Sequence, residues 1–97
     1  MMIVSFGDEA TTDLYHGRRT SRVRRFPHDI TGRALRKLDI LNGAHELIDL
    51  RSPPGNRLEA LKGNWAGFYS IRVSRKWRLV FLWEGDNAHE VRLIDYH

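Results

Sequence analysis

The sequence predicts an α+β fold in which N-terminal helices pack on one face of a twisted antiparallel β-sheet. Three observations predict it. Between Pro27 and Ala44, Ile30, Ala34, Leu38 and Leu41 recur at helical spacing and form a single apolar stripe. From Leu58 onward the hydrophobic period becomes two, as it does in half-buried strands. The connections between those strands are short, which makes successive strands antiparallel neighbours. Helices followed by a meander of this kind place the helices on one sheet face.

In chain order, Ile3-Val4-Ser5-Phe6 is a short β-type run closed by Gly7-Asp8, and Asp8 suits the cap of a short helix through about Tyr15. Residues 16–21 lack periodicity and read as a mobile basic loop. In the main helix, Arg33, Arg36, Lys37 and Asp39 lie off the apolar stripe, and Asn42-Gly43 suits its C-terminus. A further helical turn is expected over 44–50, before Pro53-Pro54-Gly55-Asn56 forms a stiff connection that no helix can continue through. Four strands are expected near 57–62, 68–74, 76–84 and 88–96. The 97 residues make one domain, 1–97.

Composition excludes several classes of function. Without cysteine there is neither a disulfide framework nor a thiolate metal site. The five histidines show no paired ligand spacing, no glycine-rich phosphate loop is present, and Ser70 lacks a neighbouring histidine motif. The expectation is therefore no metal and no cofactor. The acids Asp8, Glu9 and Asp13 break any N-terminal secretory signal, and the longest apolar run, Leu79 to Trp83, is too short to span a bilayer. A cytoplasmic protein with no membrane partner is expected.

Charge is concentrated in two places. Residues 16–25 and 57–79 each carry a formal +5 on a chain whose net charge is +4, so the remainder is acidic. Two basic segments of this kind suit a polyanion partner, and equally describe two solvated charge runs. Arg18 and Arg19 in the first segment, and Arg72, Arg75 and Lys76 in the second, are the candidate phosphate contacts of such a polyanion. Segment 18–25 also suits an acidic protein partner. Trp65 suits either stacking on RNA or covering a core edge, whereas Trp77 and Trp83 read as core.

Register sharpens this picture, because it decides which side chains share a sheet face. Pairing 68–74 with 76–84 so that opposite residues sum to 150 aligns Tyr69 with Phe81 and Ile71 with Leu79 on one apolar face. The last hairpin, paired to a sum of 172, adds Val91 and Leu93. The other face then gathers Arg72, Arg78, Arg92 and Tyr96, with Arg72 directly opposite Arg78. Like charges so placed repel unless they are screened or an anion sits between them. Two readings stand: a pair of guanidiniums that chelates a phosphate and stabilises phosphoryl transition-state charge, or screened surface arginines flanked by Glu59 or Glu90. The chain ends Asp95-Tyr96-His97, beside that arginine face. Histidine suits proton transfer near neutral pH, Asp95 can orient it, and Tyr96 can stack on a base; a frayed polar tail is the alternative.

Met2-Ile3-Val4-Ser5-Phe6, Arg51 to Glu59 with its Pro-Pro-Gly-Asn loop, Leu61-Lys62-Gly63, Ser70-Ile71-Arg72-Val73, Trp77 to Phe81 and the terminal Asp95-Tyr96-His97 together resemble the HigB toxins of the RelE-like ribonuclease superfamily. The resemblance covers nearly the whole chain. It implies a RelE-like microbial-ribonuclease-type fold and the toxin of a type II toxin–antitoxin pair. It also implies an mRNA interferase that works in the ribosomal A site, without a metal, by attack of the RNA 2′-hydroxyl on the adjacent phosphate. The implied catalytic set is Glu59, Lys62, Arg78, Asp95, Tyr96 and His97. Some members carry histidine where this chain has Glu59, which moves acid–base work toward His97, with Glu59 a second base. The partners implied are a cognate helix-turn-helix antitoxin, the ribosome with its mRNA, and operator DNA only through the antitoxin. The rival expectation is a catalytically inactive toxin-like binding module that acts with the antitoxin in transcriptional autorepression.

Overall fold

The computed structural model describes residues 2–96. Three α-helices precede the sheet: α1, Glu9–Tyr15; α2, Ser21–Arg24; and α3, His28–Gly43. Among the described residues four strands form one antiparallel sheet in the order β1 (Glu59–Ala60), β2 (Tyr69–Arg72), β3 (Trp77–Glu84) and β4 (Asn87–Asp95). Short 3-10 turns at Leu47–Arg51, Pro54–Asn56 and Gly63–Trp65 fill the connections. This is the α+β architecture expected from the hydrophobic patterns.

The first two helices start where the sequence supplies a side-chain cap, Asp8 for α1 and Thr20 for α2. The Asp8 carboxylate accepts from the Thr11 amide at 2.8 Å, and Glu9 adds negative charge in the first turn of α1. In α3 the predicted stripe of Ile30, Ala34, Leu38 and Leu41 is the buried face. Leu38 and Leu41 are wholly buried, and each contributes roughly 1.5–3 kcal/mol by leaving water. They meet Ile71, Val73, Leu79, Phe81, Val91 and Leu93, the apolar face of the sheet.

The predicted register is observed. Tyr69 pairs with Phe81, Ile71 with Leu79 and Arg72 with Arg78, while Leu79 pairs with Leu93 and Val80 with Arg92. Beyond Val80 the β3–β4 ladder shifts by one residue, so Leu82 pairs with His89. Glu90, at φ 52, lies within this irregularity. The hairpin itself turns on Gly85 and Asp86, both at positive φ, as a two-residue turn matched to strand twist requires.

The N-terminal run flanks β4 in parallel, through bridges from Ile3 to Ala88 and from Phe6 to Val91. The side-chain oxygen of Asn42 accepts from the Ile3 amide and ties this run to the end of α3. Residues expected to form a mobile basic loop are instead held in place. Thr20 caps α2, and the buried Asp13 carboxylate accepts from Thr20 Oγ1 at 2.9 Å, Arg22 Nε at 3.0 Å and Arg18 Nη1 at 3.3 Å. Among the described residues no helix is long and apolar enough to cross a membrane.

Candidate active site

With α1 and α3 on one face of the sheet, the other face presents Ser70, Arg72, Arg78, Val80 and Arg92. At its β1–β2 end lies an open cleft of about 330 Å³, lined by Arg57, Glu59, Arg72, Ser74, Arg75, Arg78 and Tyr96. Among the described residues four guanidiniums stand against one carboxylate in this lining, a balance that suits an anion.

Arg57 reaches the cleft through backbone geometry. The Pro54–Asn56 turn ends on Arg57 in the left-handed region, at φ 44 and ψ 59. The preceding Asn56 is wholly buried and fixes that turn. Its Nδ2 donates to the Leu50 and Ser52 carbonyls at 3.1 and 3.2 Å, and its Oδ1 accepts from Lys37 Nζ on α3. Burial, and then the neighbouring charge of Arg36, hold the Lys37 ammonium below the usual lysine range. The Pro-Pro-Gly-Asn motif therefore anchors the strand that brings in Arg57 and Glu59.

Glu59 pairs with Ser70 across the β1–β2 ladder, so its carboxylate rises on the cleft face. Arg78 Nη1 donates to Glu59 Oε1 at 2.7 Å and to Ser70 Oγ at 2.9 Å, and its Nη2 donates to the Arg57 carbonyl at 3.4 Å. The Arg78 side chain is 10% exposed and that of Glu59 57%, which leaves the carboxylate open to a ligand while its partner is held beneath. Arg72 Nε donates to the Ser74 carbonyl at 3.2 Å. The arginines are opposite each other in the ladder and both line the cleft, and Arg78 is flanked by Glu59 as one reading expected, but from a buried position rather than a surface one. It is the buried support of Glu59.

The cleft brings together Glu59, Arg72, Arg75, Arg78 and Tyr96 from the sequence-predicted set. Lys62 is exposed on the β1–β2 connection, where it precedes the Gly63–Trp65 turn, and is not part of the lining. Asp95 ends β4 opposite Trp77, and the Lys76 carbonyl accepts from the Tyr96 amide at 2.8 Å, which sets where Tyr96 leaves the sheet. Arg18 and Arg19 belong to the α1–α2 corner, away from the lining. His97 lies outside the described residues. Arg57, Ser70 and Ser74 complete the site and were not singled out as functional in the sequence. The signal for Arg57 was its place directly after the Pro-Pro-Gly-Asn turn. Among the described residues no cluster of three or more His, Cys, Asp or Glu side chains is arranged to hold a metal ion.

Residues 3–97 match the family model described as the RelE-like toxin of the type II toxin–antitoxin system HigB. The chain is 43% identical over 82 residues to Toxin HigB-1 of Vibrio cholerae serotype O1, covering 84% of each protein. It is 40% identical over 58 residues to an uncharacterized protein of Haemophilus influenzae, covering 60% of this chain and 57% of that one. In structure it resembles a chain of the heterotetrameric YoeB–YefM toxin–antitoxin complex from Staphylococcus aureus, with a TM-score of 0.57 at 19% identity over 100% of this chain and 98% of the other. A second YoeB–YefM structure from the same organism gives a TM-score of 0.58 at 21% identity. At those identities the structural likeness concerns the fold.

Proposed function

The chain belongs to the HigB-like family of RelE-like toxins of type II toxin–antitoxin systems, and on that premise we propose that it is an endoribonuclease cutting mRNA in the ribosomal A site. The observation that carries this reading is the cleft in which Arg57, Arg72, Arg75 and Arg78 surround an accessible Glu59 carboxylate beside Tyr96. That lining suits a phosphodiester whose negative charge grows as it reacts.

The proposed reaction is an internal transesterification. A base takes the proton of the RNA 2′-hydroxyl, and O2′ attacks the adjacent phosphorus. The bond from phosphorus to O5′ breaks, and O5′ takes up a proton. The products are a 2′,3′-cyclic phosphate and a 5′-hydroxyl, with no oxidant or co-reactant consumed. Proton transfer is divided between His97, an imidazole being the side chain type suited to proton transfer near neutral pH, and Glu59. Arg78 holds Glu59 in place, and together with Lys62 it offsets phosphoryl charge, with Arg72 assisting. Tyr96 holds the nucleotide by stacking, and Asp95 tunes its neighbours. Arg18, Arg19, Arg75 and Lys76 contribute phosphate contacts along the bound RNA, which makes binding salt-dependent.

The partners that go with this proposal are a cognate helix-turn-helix antitoxin, the translating ribosome and operator DNA reached only through the antitoxin. Expression of the wild-type chain is expected to arrest growth, and His97→Ala to relieve the arrest. Growth unaffected by the wild type, with antitoxin binding retained, would overturn the proposal in favour of a catalytically inactive partner in autorepression.

A further inference from the structure

Arg92 lies on the cleft face of the sheet, yet it takes no part in the mechanism above. Its guanidinium carbon sits 5.4 Å from the Trp65 ring centroid and 5.8 Å from that of Phe68. Trp65 and Phe68 meet edge to face, with centroids 5.1 Å apart. On the Gly7 side the arginine packs closely on glycine: a Cβ there would come within 2.4 Å of Arg92 Nε and 2.6 Å of its Cγ, so the Arg92 side chain would have to shift. Glu90 Oε1 lies 3.4 Å from Nη2, and the Arg92 side chain remains 23% exposed. A cation fixed against glycine supports a half-buried indole on the Gly63–Trp65 turn.

The ladder relates this cluster to the cleft. Glu59 pairs with Ser70, Ser70 with Val80 and Val80 with Arg92, which makes one row across all four strands. At about 4.8 Å per strand the row spans on the order of 14 Å from Glu59 to Arg92. That is too far for one phosphate to touch both ends, and it suits a neighbouring nucleotide of the same strand. Half-exposed aromatic rings backed by arginine are what sequence-tolerant single-strand binding uses.

We propose that Trp65, supported by Phe68 and Arg92, is an accessory subsite on which a base flanking the cut phosphodiester stacks. Arg92 is the positioning residue of that platform. The subsite rests on the ribonuclease reading of the cleft.

The test uses single-stranded RNA methylated at its 2′-hydroxyls, so that it is bound and not cut, as a dinucleotide and as a longer oligonucleotide. Fluorescence anisotropy of a dye-labelled RNA follows binding in every variant, and the tryptophan quench that Trp65→Phe removes belongs to Trp65. Trp65→Ala is expected to weaken binding of the longer RNA by about tenfold or more while leaving the dinucleotide unchanged. Trp65→Phe, which keeps a ring, is expected to restore affinity, and this separates stacking from simple loss of fold. Unchanged affinity of Trp65→Ala for both lengths, with Arg72→Ala weakening both, would overturn the subsite and leave the cleft standing. Wild type binding neither length would overturn the subsite, while ribosome-dependent mRNA cleavage decides the ribonuclease reading separately.

Discussion

Arg78 Nη1 stands 2.7 Å from Glu59 Oε1 and 2.9 Å from Ser70 Oγ, so one buried guanidinium nitrogen fixes the one carboxylate that lines the cleft among the described residues. The pair joins two strands that are not neighbours, β1 and β3, across Ser70 on β2. Its partners differ in exposure, and the consequences of removing each differ accordingly.

Glu59→Gln keeps an oxygen that accepts from Arg78, and its site is mostly exposed, so stability is expected to change by less than about 1 kcal/mol. Arg78→Met leaves buried Ser70 Oγ without its donor and is expected to cost roughly 1–3 kcal/mol. Urea unfolding of the two variants checks this. Equal losses would mean that Arg78 does not act as the support of Glu59.

Asn56→Ala removes three hydrogen bonds made by a wholly buried side chain in an otherwise exposed turn and is expected to cost about 2–3 kcal/mol in the same measurement. Because Arg57 and Glu59 follow directly, the variant is also expected to lose RNA affinity when it is still folded. Wild-type stability would show that the Pro-Pro-Gly-Asn motif has some task other than anchoring β1.

Asp13 carries a pH dependence. Burial alone raises its carboxyl pKa, but hydrogen bonds from Thr20, Arg22 and Arg18 and the charge of Arg22 outweigh burial and bring it below 3.8. A folded-state value below the unfolded one means that the carboxylate stabilises the fold above about pH 3.8 and loses that effect as pH falls through the folded value. Thermal melts are expected to show wild type exceeding Asp13→Asn at neutral pH, with the gap closing in acid. A gap independent of pH would rule out ionisation as the origin.

Much of the fold was legible because alternation over β2, β3 and β4 allowed one register that puts Ile71, Leu79 and Leu93 on a common face. The irregularity at Glu90 was not legible, since positive φ at a glutamate leaves no glycine or asparagine signature. The order in the arginine-rich segment was hidden too. It depends on Asp13 meeting Arg18 and Arg22, five and nine residues away, in the α1–α2 connection and on α2. Of the candidate site, Arg72 opposite Arg78 followed from register. The burial of Arg78 did not, because it requires β1 to pair beyond β2 so that Glu59 and the Arg57 carbonyl reach across Ser70 to the guanidinium.

The most direct test of the central claim is mRNA cleavage on programmed ribosomes by wild type, Arg78→Ala and His97→Ala. The account predicts ribosome-dependent cuts in the A-site codon that leave a 2′,3′-cyclic phosphate, reduced at least tenfold in Arg78→Ala and at least a hundredfold in His97→Ala, within the range for loss of a charge-stabilising group and of a proton carrier. Intact mRNA with folded wild-type protein, or cleavage equally strong in both variants, would contradict it.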